Sequence, residues 1–249
     1  MNVVKVMGGL GNQLFQYAFA KSLEKYDEIG LDITYYDSEF NHCDDIAHRD
    51  FLLPHFVDNL VYADQGSRTR INQWEYISDQ RYNDSFFFGD WQKMSFFEGV
   101  DLQIRQKEGH INEGSREIAA KMQKENSVSI HIRRTDYLKF GWELDVSYYR
   151  RAMETIRQQV PDPVFYVFTD DPAWAYENLS DPGIIYCHGD TLNDFYLMTK
   201  CKNNIIANSS YSFWAAYLNE NPEKKIIYPA DWKCCPNPVD IQKKGWSKV

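Results

Sequence analysis

No stretch of the chain approaches the roughly 18 consecutive apolar residues that a membrane span requires. The apolar run at the start, Met1 to Met7, is too short for a secretion signal. A soluble cytoplasmic protein is expected, with at most loose membrane association. Positive charge is also scarce: 27 Lys and Arg stand against 36 Asp and Glu, for a formal net charge of −9. That balance argues against nucleic acid or an anionic membrane as a general partner, so an anionic ligand must be met by a local cation. The five cysteines (Cys43, Cys187, Cys201, Cys234 and Cys235) are odd in number and contain no C-x-x-C pair. They predict reduced thiols rather than a structural zinc site. Internal repeats and low-complexity segments are missing as well.

What the chain has is length and aromatic rings. Its 249 residues suffice for one large domain or two small ones with a proper core. An aromatic content of 16% predicts ring-lined clefts as well as core.

The N-terminal pattern is a strand, Val3 to Met7, a glycine turn, Gly8-Gly-Leu-Gly-Asn12, a helix from Gln13 to Tyr26, and a second strand from Ile29 to Ile33. This is half of a nucleotide-binding α/β unit. The turn lacks the Gly-Lys-Ser/Thr of a phosphate-binding P-loop. It also lacks the third small residue of a dinucleotide fingerprint, although Asp32 follows at about the right separation and keeps a dehydrogenase open as an alternative. Its glycines let backbone approach a ligand, and the helix start after it favours anions or acceptor hydroxyls. From Tyr35 to Gly114 the pattern is irregular, and its aromatics suit either core or sugar stacking. A helix over Ser115–Met122 closes the first half, and the domain boundary is placed at 125/126.

The second half alternates regularly between strands and helices, which predicts a parallel sheet. Strands are expected at Val128–Ile132, Val164–Phe168, Ile184–Cys187, Ile205–Ala207 and Ile226–Tyr228, and helices at Ser147–Gln159, Asp194–Cys201 and Phe213–Leu218. In the first of these strands Val128, Ile130 and Ile132 occupy one face, and Ser129, His131 and Arg133 the other. A His and an Arg on one face near a strand end are either members of a salt-bridged edge strand or an anion clamp. Two more strand ends carry polar turns, Thr169-Asp-Asp171 and Asn208-Ser-Ser-Tyr-Ser212. The serine turn reads either as plain helix capping or as a phosphate cradle. The paired aspartates suit a ribose or base better than a metal.

Four motifs in this order, Gly8-Gly-Leu-Gly-Asn-Gln-Leu-Phe-Gln-Tyr17, His131-Ile-Arg-Arg-Thr-Asp-Tyr137, Val167-Phe-Thr-Asp-Asp171 and Ile206-Ala-Asn-Ser-Ser-Tyr-Ser-Phe-Trp-Ala215, resemble those of the α-1,2-fucosyltransferases, glycosyltransferase family 11. Phe86 to Phe97 resembles the family's Gly-x-Trp/Phe-Gln segment. Thr135 departs from the family's usual Gly, and the region from Tyr35 to Gly114 is short. The resemblance implies a GT-B fold: two Rossmann-like domains, 1–125 and 126–249, with parallel sheets facing a cleft, the first on the acceptor side and the second on the GDP-fucose side. It implies inverting transfer of L-fucose from GDP-β-L-fucose to the 2-hydroxyl of a galactose-type acceptor, with no metal and no other cofactor. Arg133 is expected to hold the β-phosphate, with His131 positioning it and Asp136 orienting Arg133 or its loop. Asp170 is expected near the ribose or guanine, and Ser209, Ser210 and Tyr211 near the phosphates. Gly11 is expected beside the donor, and Asn12 at the fucose or acceptor. Arg134, pointing the other way, is assigned to the domain interface or to Asp136. Asp136, Asp32 and Asp37 are candidates for a general base by charge alone. Another GDP-sugar or peptide O-fucosyltransferase, or an inactive glycan- or nucleotide-binding module, are the alternatives.

Overall fold

A computed structural model describes residues 1–42, 48–233 and 245–249. Cys43, Cys234 and Cys235 fall outside the described residues, while Cys187 and Cys201 are free, buried thiols. The described chain divides into two compact units, one running from Met1 to Lys107 and the other beginning at Glu108.

The first unit contains β1 (Asn2–Lys5), α1 (Leu10–Leu23), β2 (Ile29–Asp32), β3 (Thr69–Asn72) and β4 (Ser85–Phe88). Its four strands are all parallel, in the order β2-β1-β4-β3. Helix α1 starts at Leu10 rather than Gln13, because the Asn12 and Gln13 amides already donate to Gly9 O at 3.0 and 3.1 Å. Gly11 and Asn12 therefore lie in the first helical turn. The helix buries Leu14, Phe15, Ala18 and Phe19. The Phe19 ring stacks on Trp91 at 3.7 Å and meets Tyr76 and Phe87 edge-on. Truncating such a side chain costs about 3–5 kcal/mol. Phe86, Phe87, Trp91 and Phe97 are buried, so core packing accounts for those rings of the irregular region. Strand β3 escapes prediction because Thr69-Arg-Ile-Asn72 lies at the sheet edge, with its first two side chains exposed and no apolar alternation.

The second unit contains α2 (Glu113–Met122), β5 (Asn126–Ile132), α3 (Val146–Arg157), β6 (Pro163–Thr169), α4 (Pro172–Asn178), β7 (Ile184–Cys187), α5 (Thr191–Lys200), β8 (Asn203–Ile205), α6 (Ser210–Leu218), β9 (Ile226–Tyr228) and β10 (Trp246–Lys248). Its sheet is again wholly parallel, six strands ordered β10-β9-β8-β5-β6-β7. The units divide ahead of α2, not after it. Helix α2 packs on α5, where the Asn112 amide donates to Asn193 Oδ1 at 3.1 Å and Cys201 Sγ lies 3.7 Å from Met122 Sδ.

Strand β5 runs between β8 and β6, which overturns the edge-strand alternative. Val128, Ile130 and Ile132 enter the core with Phe165, Val167, Ile205 and Ile227. Its polar face is buried too, so each polar group there needs a partner. Ser127 donates to Met122 O at 2.8 Å, and Ser129 Oγ accepts from Asn204 Nδ2 at 2.7 Å. The serines of the alternation are thus satisfied within the fold.

Candidate functional site

In a parallel sheet, ligands sit outside the carboxyl ends of the strands. In the second unit those ends carry the loops after β5, β6 and β7 and the entry to α6. Arg133 follows the last residue of β5 and is four-fifths buried. Its Nη2 donates to Asp136 Oδ2 at 2.6 Å, and its Nη1 pairs with Asp170 Oδ2 at 3.0 Å. Burial disfavours the charged guanidinium, but the Asp136 hydrogen bond and the Asp170 charge outweigh it and raise its pKa. Asp136 therefore orients Arg133, not Arg134.

Arg134 turns away. Its Nε donates to Asp171 Oδ2 at 3.1 Å, and its guanidinium lies 4.1 Å over the Trp174 ring. Asp171 also caps α4, accepting the Trp174 amide at 3.1 Å. That cap, followed by Pro172 at the first helical position, explains a helix whose length and composition give no periodic signal. Arg134 is thus tied to the α4 cap within the second unit. The two aspartates of the Thr169-Asp-Asp turn are both spoken for by this chain, Asp171 by α4 and Asp170 by the loop after β5. Among the described residues no three of His, Cys, Asp and Glu come together as a metal-binding set.

His131 lies on β5 beneath Arg133, 7% exposed, with its ring 5.3 Å from that of Tyr211. Burial, reinforced by Arg133 and opposed by Asp170, pushes its pKa down to about 4. It is therefore a neutral imidazole at physiological pH, and Arg133 supplies the positive charge alone. Its Nδ1 is buried without a hydrogen-bond partner.

The serine turn sits beside this pair. Ser209 is the N-cap of α6 but makes no side-chain capping bond, which removes plain capping as the explanation of its hydroxyl. Intrahelical bonding in α6 begins with Phe213 N to Ser209 O at 3.0 Å, and the Tyr211 amide precedes that point. Tyr211 anchors its hydroxyl on Thr191 O at 2.6 Å and so presents ring and backbone to the site. Asn208, fully buried, donates to Trp142 O at 2.8 Å, and its own carbonyl accepts from the Tyr137 hydroxyl at 3.1 Å. The loop that carries Arg133 and the turn that carries the serines are thereby joined.

The structure adds a residue that the sequence pattern marked only as the start of a helix. Asp190, not Asp194, is the N-cap of α5, accepting Leu192 N and Asn193 N at 3.0 and 2.8 Å. Asp194 is surplus to that role. Its Oδ1 is buried without a hydrogen-bond partner, and burial pushes its pKa up to about 6 despite the Gly189 amide. A Cβ on Gly189 would lie 2.5 Å from that oxygen. The second acid one turn beyond the cap, after a glycine, is the sequence signal.

The first unit gathers a different set at its own strand ends. Gly8, not Gly11, is the glycine the turn demands, with φ of +78°, and a Cβ there would lie 3.1 Å from Asn12 Nδ2. Asn12 donates to Asp90 Oδ1 at 3.3 Å and accepts from Gln92 Nε2 at 3.0 Å. Burial raises the pKa of Asp90. Asp32 is committed elsewhere: Lys5 Nζ, Thr34 N, Thr34 Oγ1 and Gln65 N approach it at 3.0, 2.9, 2.7 and 3.2 Å. Burial opposes its charge, yet the bonds from Thr34 and Lys5 prevail and lower its pKa. It is free neither for a ribose nor for a proton.

A family model described as glycosyl transferase family 11 matches residues 1–249. The chain belongs to glycosyltransferase family 11. It is 29% identical to an O-antigen biosynthesis glycosyltransferase, WbnK, of Escherichia coli, over 96% of this chain and 97% of that protein. It is also 29% identical to an α-1,2-colitosyltransferase of Escherichia coli, over 92% and 91% of the two chains. Human galactoside α-(1,2)-fucosyltransferase 1 matches at 30% over 50% of this chain and 40% of its own. Among solved structures, the fucosyltransferase NodZ from Bradyrhizobium aligns with a TM-score of 0.52 at 14% identity, over 86% of this chain and 91% of that one. This likeness carries the fold, an α/β glycosyltransferase of the GT-B type with two parallel sheets. No helix among the described residues is long and apolar enough to cross a membrane.

Proposed function

We propose that this glycosyltransferase moves L-fucose from GDP-β-L-fucose to the 2-hydroxyl of a galactose-type acceptor, with inversion and without a metal, in the cytoplasm. The observation that carries the reading is the aimed guanidinium of Arg133, held at both Nη atoms at the end of β5. The α6 amides supply neutral donors to the same diphosphate. Asp194, with its unpartnered oxygen, offers an acceptor to the N–H edge of guanine. Asn12 and its amide neighbours suit the hydroxyls of fucose or acceptor.

The acceptor oxygen attacks C1 of fucose as the C1–O bond to the β-phosphate breaks. GDP leaves with the bonding pair, and the acceptor proton passes to a base or to solvent. The barrier lies in the negative charge that grows on the leaving diphosphate, and a preorganised guanidinium and amides stabilise that charge without reorganising.

A second reading keeps the linkage and changes the sugar: the similarity to an α-1,2-colitosyltransferase favours a colitosyl donor. The test is incubation with GDP-fucose, GDP-mannose, UDP-galactose and a colitosyl donor, each with a galactoside panel in EDTA, followed by NMR of the product linkage. Consumption of GDP-fucose alone, with an α-1,2 product, is expected. Transfer from UDP-galactose, or GDP binding with no transfer from any of them, ends the fucosyl reading; activity with a colitosyl donor only selects the second.

A further inference from the structure

The loop after β5 contains one side chain whose hydrogen bond serves the fold little and the site directly. Thr135 is exposed, yet its Oγ1 donates to Asp170 Oδ2 at 2.7 Å. The same oxygen receives Thr135 N at 3.3 Å and Arg133 Nη1 at 3.0 Å, while Arg134 N donates to Asp170 Oδ1 at 2.9 Å. Asp170 comes from the neighbouring strand β6, so a single carboxylate ties the loop to the sheet and grips the guanidinium.

This grip has an electrostatic cost. Asp136 and Asp170 together place two negative charges on one guanidinium, at the spot where a diphosphate is to bind. A carboxylate that depended on Arg133 alone would cancel the cation it aims. Neutral donors ease the conflict, because they meet part of the carboxylate's hydrogen-bonding demand without adding charge, so Asp170 draws less on the guanidinium.

We propose that Thr135 is a positioning residue, whose hydroxyl holds Asp170 so that Arg133 is aimed at the donor diphosphate. This rests on the reading of the site as a GDP-sugar site. Hydrogen bonds to charged groups are worth enough that losing one, at an exposed position, weakens diphosphate binding by about three- to tenfold.

The test is calorimetric titration of GDP into the full chain carrying Thr135→Val, which keeps the shape and removes the O–H, and Thr135→Ser, which keeps the O–H. Thr135→Ala provides a second hydroxyl deletion of different size. The expected result is weaker GDP binding in Val and Ala, wild-type binding in Ser, and no further loss when Thr135→Val is added to Asp170→Asn, since the hydroxyl acts through that charge. Equal losses in Ser and Val, unchanged binding in Val and Ala, or a Val effect that persists with Asp170→Asn would overturn the role of Thr135 while leaving the GDP site standing. Failure of the wild-type chain to bind GDP at all would remove both.

Discussion

The two units offer the same topological position, the carboxyl ends of a parallel sheet, and furnish it with opposite chemistry. In the second unit the strand ends hold a guanidinium between two carboxylates, a neutral buried imidazole, and the amides that open α6. In the first they hold carboxamides and a lightly bonded carboxylate, Asn12, Gln92 and Asp90, around a glycine turn. This contrast underlies the proposed division of labour, diphosphate at the second edge and sugar hydroxyls at the first. In a chain of net charge −9 an anion site needs a local concentration of cation and dipole, whereas hydroxyls can be met by neutral amides.

The largest expected effect strikes the charged edge. Arg133→Ala should lower kcat by about 10²–10³-fold, as for removal of a transition-state donor. Arg133→Lys should recover little, because a point charge does not reproduce the fork; a steady-state transfer assay reads both. Full activity in Arg133→Ala would erase the distinction between the two edges.

Asp194→Asn comes next, with an expected loss of about ten- to a hundredfold in GDP affinity, as for a bond to a charged acceptor, and a smaller loss for IDP, which lacks the exocyclic amine. Calorimetry with both nucleotides decides it. The same substitution carries a stability signature of known sign. Asp194 titrates near 6 in the folded chain against an ordinary value of 3.8, so its charge destabilises the fold fully above pH 6 and not at all below 3.8. The variant's Tm should therefore exceed the wild type's at pH 7, with the gain vanishing as pH falls through 6 toward 4.

Asn12→Ala sharpens the comparison from the other side. Acceptor KM should rise about fivefold, in line with a lost hydrogen bond of average worth, while GDP affinity stays within about twofold. A larger effect on GDP than on acceptor would place Asn12 with the donor. The smallest effect is spectroscopic. His131, depressed to about 4 from 6.5, should show no protonation in NMR between pH 8 and 5, and the fold should lose stability as pH drops from 6.5 to 4 because only the unfolded imidazole binds the proton there.

Much of the charged edge was legible because polar residues interrupted apolar runs. His131 and Arg133 on β5, the Thr169-Asp-Asp turn and the serines before α6 each broke a buried pattern. Structure was needed for partnerships between strands that are neighbours in space, not in sequence. The Arg133–Asp170 and Thr135–Asp170 contacts depend on β5 lying beside β6, and alternation on one strand carries no register to the next. Arg134 was expected to point the opposite way from Arg133, and it does, but its partner Asp171 lies across the same strand pair. Asp194 was hidden because an acid near a helix start looks like a cap, and only the cap bonds of Asp190 free it for another role. The edge strand β3 and the Pro172 helix were illegible for a plainer reason: exposed residues and a short helix leave no periodicity to read.

Hydrogen exchange of the chain with and without saturating GDP, in EDTA, bears most directly on the division between the two edges. The strongest protection is expected on the loops at 131–137, 169–171, 189–194 and 208–212 of the second unit. Protection centred on residues 8–13 of the first unit, with 131–137 unchanged, would contradict it.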